Sequence, residues 1–193
     1  MRKVFGYILA GLACAFGALA AFVTWAGSRG PEPSRCHGNL VTGSLEGGRR
    51  PPYSGENFRA YSLTGYLAGR TFMHSTVAKT VVEAYAQLAR EHPDLRFVYG
   101  ESAWPWGGNF FPHKTHANGT AVDFFVPVRT AAGAVGELPT SPIRLFGYGV
   151  SFDKSGQSGG LKIDFAAMAL HLQALEKAAR ANGTSISRVI FDV

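Results

Sequence analysis

Two histidines three residues apart, His113 and His116, stand ahead of Asp123, which follows the second by seven, with Gly119 between them. Zinc takes imidazole nitrogen and carboxylate oxygen readily, and a catalytic zinc site needs about three protein ligands plus a water. His116 and Asp123 are therefore candidate ligands of one cation, the histidine from a loop and the aspartate from the strand that follows. Gly119 lets the backbone turn tightly between them, because glycine has no Cβ to clash. The spacing also fits a satisfied surface histidine and a salt-bridged aspartate. Glu101 follows a short apolar segment and is placed to reach the same cleft as a base or hydrogen-bond acceptor, or else to be a solvated loop carboxylate. Ser102, Trp104 and Trp106 are candidates for lining a substrate groove; the tryptophans fit equally as cover for the core.

The elements that must hold these groups can be read from periodicity. Residues 120–128 predict a strand on which Ala121, Asp123 and Phe125 share one face and Val122, Phe124 and Val126 the other. An aspartate on such a strand demands a partner, because an unpaired buried carboxylate is costly; a metal, an arginine or a cluster of backbone amides would serve. Val77, Val81, Tyr85 and Leu88 recur at helical steps and predict a helix over 76–91, capped by Ser75 and ended by His92-Pro93. A strand is expected at 95–99, a strand or hairpin arm at 143–152, and a polar loop at 153–160. Asp164 reads as the N-cap of a helix running to about 181, where Asn182-Gly183 stops it. His171 lies beside its packing face and reads as a satisfied or half-exposed helix histidine. A last strand is expected at 187–193. The sum is an α+β domain, a small antiparallel sheet flanked by helices.

Ahead of that domain, residues 1–3 form a basic n-region and 4–27 an uncharged run of 24 residues, long enough to span a membrane as a helix. A transmembrane anchor and a cleaved signal segment both fit, and both predict export, with the basic end staying inside. Residues 28–42 read as a linker and 43–193 as the domain. The net charge of +6 is spread, densest at Arg29, Arg35, Arg49, Arg50 and Arg59, and no basic stripe interleaves with stacking aromatics, so nucleic acid is not expected as a partner. Cys36 is the only cysteine beyond the apolar run. It is either a free buried thiol or one that has lost its partner.

The pattern His-x-x-Gly-x-Ala-x-Asp, at His116, Gly119, Ala121 and Asp123, resembles the first zinc motif of the LAS metallopeptidases, which include lysostaphin-type endopeptidases and D-Ala-D-Ala peptidases. The wider match covers most of 43–193 and resembles the penicillin-insensitive murein endopeptidases: Gly43-Ser-Leu-Glu46, Ser54-Gly-Glu-Asn-Phe-Arg-Ala60, Gly69-Arg-Thr-Phe-Met73, His113-x-x-His116 and Ile163-Asp-Phe165. The resemblance implies an LAS/hedgehog-like core, Zn2+ as cofactor, His116 and Asp123 as its first two ligands, and His113 as an extra histidine that orients a ligand or the substrate. It implies a periplasmic hydrolase, attached to or passed through the inner membrane, that cuts peptide cross-links of peptidoglycan with zinc-activated water. The second motif of that family, His-x-His, supplies its third ligand and a general base, and this chain has none. The expectation is therefore a C-terminally incomplete endopeptidase whose two-ligand site holds zinc weakly, and whose missing part would carry the partner of Cys36. The alternative is a non-catalytic wall-binding or scaffolding domain with a degenerate metal site.

Overall fold

Apolar side chains and internally paired backbone make 4–27 a continuous helix, and in the computed structural model, which describes residues 2–27 and 29–191, it belongs to α1 (Arg2–Gly27). The stretch Lys3–Gly27 is long and apolar enough to cross a membrane, with a mean hydropathy of 2.0; a signal peptide and a membrane anchor both meet that description. The segment expected to be linker already carries structure. Strand β1 (Arg35–His37) pairs antiparallel with β2 (Ser44–Glu46). Ser34 is buried, and its hydroxyl donates to Gly47 O at 2.6 Å and accepts the Ser75 N–H at 2.9 Å. Ordered structure thus begins ahead of residue 43.

The chain is mixed α+β, with small sheets and packed helices. The sheet that carries the candidate site is not wholly antiparallel. Strand β3 (Phe58–Ala60) runs parallel to β4 (Phe97–Tyr99), which pairs antiparallel with β5 (Phe124–Phe125). Parallel neighbours need a long crossover. Here it contains α2 (Leu63–Leu67) and α3 (Ser75–Glu91). A three-residue strand is too short to announce itself by alternation, so the parallel pair was invisible in the sequence.

The strand expected over 120–128 is divided between two sheets. Only Phe124–Phe125 pairs with β4, and after Pro127 the chain enters β6 (Val128–Thr130) of a second sheet. Pro127 has no N–H for a ladder, so the run breaks there. The second sheet is antiparallel, in the order β7 (Val135–Gly136), β6, β9 (Leu161–Ile163), β8 (Gln157–Ser158). Residues 143–152 are not a strand. Pro142–Gly147 form a 3-10 turn in which Leu145, Phe146 and Gly147 take positive φ of 48°, 57° and 102°. The reversal sets Tyr148 against Phe125, ring centroids 5.2 Å apart.

Helix α3 is capped one residue earlier than expected: Nδ1 of His74, not Ser75, accepts the Thr76 N–H at 3.2 Å. Helix α4 (Phe165–Ala181) is capped as expected by Asp164, whose Oδ1 accepts the Ala167 N–H at 3.0 Å. The two helices share a core of Val81, Ala84, Tyr85 and Leu88 with Ala174, Leu175 and Ala178, laid against Phe97 and Tyr99 of β4. His171 is neither half-exposed nor satisfied: it is buried in this core, stacked on Tyr85 and tilted against Phe97, and its Nε2 has no hydrogen-bond partner. The helical register points it inward, which the leucines beside it did not reveal. The last expected strand is absent over 187–191, which are exposed and meet no strand edge among the described residues; Asp192 and Val193 lie outside them.

Candidate metal centre

The loop between β4 and β5 carries most of the chemistry, and its backbone is fixed before its side chains are. Leu40 O accepts the N–H groups of His116 and Ala117 at 3.1 and 3.0 Å, and Ala117 O accepts the Gly108 N–H at 2.8 Å. Gly119 turns the chain at φ 72° with its carbonyl on the His74 N–H, 2.9 Å away. A Cβ there would stand 2.7 Å from Leu45 Cδ2 and 3.0 Å from the His74 nitrogen, so the tight turn expected at this residue requires glycine. Asp123 is aligned just before β5: its N–H donates to Glu101 O at 2.9 Å, and its carbonyl accepts the Gly100 N–H at 2.7 Å.

His113, His116 and Asp123 converge, each offering one ligand atom, with all three atoms within 4.8 Å of one another; the cluster could hold a metal ion. His116 Nε2 lies 3.3 Å from Asp123 Oδ1, and His113 Nδ1 lies 3.7 Å from Asp123 Oδ2. Two ligands at ~2.0–2.1 Å from a tetrahedral zinc stand about 3.3 Å apart. The outer nitrogens are spoken for. Nδ1 of His116 donates to Ala121 O at 3.1 Å, a carbonyl that can only accept. Nε2 of His113 faces Glu101 Oε2 at 2.9 Å, a carboxylate oxygen within ion-pair distance. With the outer nitrogens turned to acceptors, each inner nitrogen meets the Asp123 carboxylate through a proton, as a charged His116 does across 3.3 Å, or through a cation in its place. Backing each imidazole with a carbonyl or carboxylate is how metal-binding histidines are held.

Glu101 is not a solvated carboxylate. It is buried and bound on every side: Arg70 donates through Nε to Oε1 and through Nη2 to Oε2 at 2.7 Å, and the Tyr61 hydroxyl donates to Oε1. The clamped carboxylate stands beside His113, Oε2 lying 2.9 Å from its Nε2. Arg70 also donates to Phe111 O at 2.9 Å and lies over the Phe110 ring at 4.3 Å, tying Glu101 to the histidine loop. Burial lowers the Arg70 pKa, but the hydrogen bond and charge of Glu101 win and raise it. Burial, then the Glu101 charge, push the Tyr61 hydroxyl well up.

Tyr148 closes the other side. Its hydroxyl accepts the Glu101 N–H at 3.1 Å and donates to Asp123 Oδ2 at 2.9 Å, so its proton is directed at the carboxylate. Burial raises the Asp123 pKa; the hydrogen bond and charge of His116, then Tyr148 and His113, outweigh it and hold the carboxyl below its ordinary value. Burial and the Asp123 charge drive the Tyr148 hydroxyl far above its ordinary value.

A cleft of about 340 Å³ opens over His113 and His116, bordered by Val41, Phe111, Pro112 and Lys114. A larger, shallow depression of about 510 Å³ on α4, between Leu172 and Arg180, is lined by Gln173, Lys177 and the Glu176–Arg180 ion pair and includes none of the cluster residues.

The structure thus gathers all four sequence candidates, His113, His116, Asp123 and Glu101, and makes His113 a candidate third ligand. Ser102 stands behind them, buried, its hydroxyl donating to Ala121 O at 2.6 Å. Trp104 packs on Phe110, and Trp106 is half-exposed on the side of α1. Arg59 anchors its loop through Glu137 at 2.7 Å and Thr140. His37 pairs with Glu46, His74 caps the start of α3, and His92 ends that helix through its backbone N–H on Leu88 O. Cys36 is exposed, and its thiol donates to Asn118 O at 3.2 Å. Sequence reasoning missed Tyr148, Arg70 and Tyr61. Arg70 sat in a quoted motif without a role, and Tyr148 carried no local signal. No protein-family model matches the chain, and no curated protein matches it at a significant level.

Proposed function

We propose that the chain is a zinc-dependent hydrolase of the bacterial envelope, with an LAS-like metallopeptidase core acting in the periplasm on the peptide cross-links of peptidoglycan. The observation that carries this reading is the convergence of His113 Nδ1, His116 Nε2 and the Asp123 carboxylate, with both outer imidazole nitrogens already committed. Three protein donors of this type match a catalytic rather than a closed structural zinc site. A zinc ion held there supplies Lewis acidity that polarises a peptide carbonyl and acidifies water. Glu101 and the Ala121 carbonyl orient the two imidazoles, and Tyr148 orients the Asp123 carboxylate. The cleft, apolar at Val41 and Phe111 with Lys114 on its rim, suits an extended peptide that ends in a carboxylate.

A second reading rests on the clamp around Glu101. With Arg70 and Tyr61 holding that carboxylate, no free general base faces the cluster among the described residues, which favours a metal-bearing wall-binding domain over an enzyme. One experiment tests both. Full-length protein in detergent is loaded with zinc, dialysed and assayed for zinc per chain beside His113→Ala, His116→Ala and Asp123→Ala. About one zinc in the wild type and a tenth or less in the variants is expected; equal zinc in all four refutes the ligand assignment. Incubation with cross-linked muropeptides should release monomers, and a chelator should stop it. Bound zinc with unchanged muropeptides selects the binding domain.

A further inference from the structure

We propose that α1 is kept in the mature protein as a membrane anchor whose last turns are part of the domain's fold, so that the metal cleft is held at a fixed, short distance from the bilayer surface. A helix that is only a signal to be cut away has no reason to fit the domain it leaves. This one fits closely. Val23 is 1% exposed, Gly27 is buried and Ala20 half-buried, a stripe at helical steps on one face of an otherwise exposed helix. Gly69, at φ 89°, lies so close that a Cβ on it would stand 2.5 Å from Val23 Cγ1. A Cβ on Gly27 would stand 2.0 Å from the Phe72 ring.

Polar groups finish the seam. Arg49 donates to the Gly27 carbonyl at 3.1 Å, satisfying an acceptor at the helix end. Arg50 spans the joint, with Nη1 on Tyr66 O at 2.7 Å and Nη2 on Thr24 Oγ1 at 3.0 Å. Cutting α1 away would uncover Gly69 and Phe72, and would strip Arg49 of the Gly27 carbonyl and Arg50 of the Thr24 hydroxyl.

The occupant of the remaining surface is the hydrocarbon core of a bilayer. Ahead of Val23, residues 3–22 are almost wholly exposed and, after Lys3, uncharged. Roughly 20 residues at ~1.5 Å each rise ~30 Å, the thickness of that core. Where the span meets the domain, Trp25 and Trp106 are both half-exposed, Phe22 lies 6.3 Å from Trp106, and Arg29 covers Trp25 at 4.1 Å. Tryptophan and arginine at that level are what a membrane–water boundary selects. From Trp106 the aromatic contacts run on without a gap, 6.5 Å to Trp104, 5.1 Å to Phe110 and 5.4 Å to His116. The cleft is therefore joined to the boundary by packed rings and not by a flexible tether.

The test uses the full chain with its own N-terminus and a C-terminal tag, expressed in a bacterium and fractionated. The expected product carries α1 by intact mass and stays in the membrane pellet after an alkaline carbonate wash. A soluble product whose N-terminus falls between residues 20 and 35 overturns the proposal. Thermal unfolding of the domain is then followed in detergent for Val23→Ser, in the seam, and Ala21→Ser, exposed on the helix. Val23→Ser should lower the midpoint by roughly 4–8 °C and Ala21→Ser by less than about 1 °C. Equal midpoints would show a helix that tethers without being seated, and would overturn the proposal even if the anchor is retained. Neither readout passes through the metal cleft, so the result stands apart from the hydrolase reading.

Discussion

His171 makes the core sensitive to acid, and the effect can be worked out. The imidazole is buried in α4, its ring 5.3 Å from Tyr85, 4.9 Å from Phe97 and 4.9 Å edge-on from Phe124, and nothing accepts from its Nε2. Burial disfavours the charged ring and lowers its pKa from 6.5 to about 3. Between those values the unfolded chain binds the proton and the folded chain does not, so stability is fully present above pH ~6.5 and falls as the pH drops toward 3. Each pH unit in that window costs about 1.4 kcal/mol, or roughly 3 kcal/mol by pH 4. His171→Phe keeps a ring in the same stack and removes the titration. The assay is urea unfolding of metal-free protein in detergent at intervals from pH 7.5 to 4, wild type beside variant. The other titrating groups are common to both chains and cancel in the difference. The variant should gain on the wild type by about 1.4 kcal/mol per unit below pH 6.5. Parallel stability curves would refute the reasoning, because they would mean that the folded protein protonates His171 as readily as the unfolded chain does.

Glu101→Gln keeps the shape but weakens the hold on His113 and leaves Arg70 without its ion pair; zinc affinity by competition with a chromogenic chelator should fall ~10–100-fold. Gly119→Ala forces a Cβ against Leu45 and the His74 backbone at positive φ, and should cost about 1–3 kcal/mol in denaturant unfolding while also lowering zinc content. Asp164→Ala removes both the cap of α4 and the Arg129 ion pair at 2.7 Å; a loss of about 1–3 kcal/mol is expected, read as a fall of several degrees in the melting midpoint, with zinc content unchanged.

Local signals were legible because their causes are local. The apolar run of α1, the two long helices and the Asp164 cap follow from side chains within one or two turns of each other, and they stand where periodicity puts them. The Gly119 turn and the pairing of His116 with Asp123 belong to the same class, since seven residues with a glycine between can close one loop. The short strands were not legible. Two or three residues show no alternation, and the parallel partnership of β3 with β4 depends on segments almost 40 residues apart.

By itself, then, the sequence determined the apolar helix, the amphipathic helices and a histidine–aspartate pair suited to one cation. Only the tertiary structure decided that His113 turns its inner nitrogen to the same carboxylate, because that depends on Glu101 and Arg70 meeting across 31 residues. It alone brought Tyr148 back over Asp123, through a turn whose positive φ values no pattern announces. It alone pointed His171 into the core. Side-chain direction at a site is set by contacts between distant segments, and a one-dimensional pattern carries those contacts only where chain distance and spatial distance coincide.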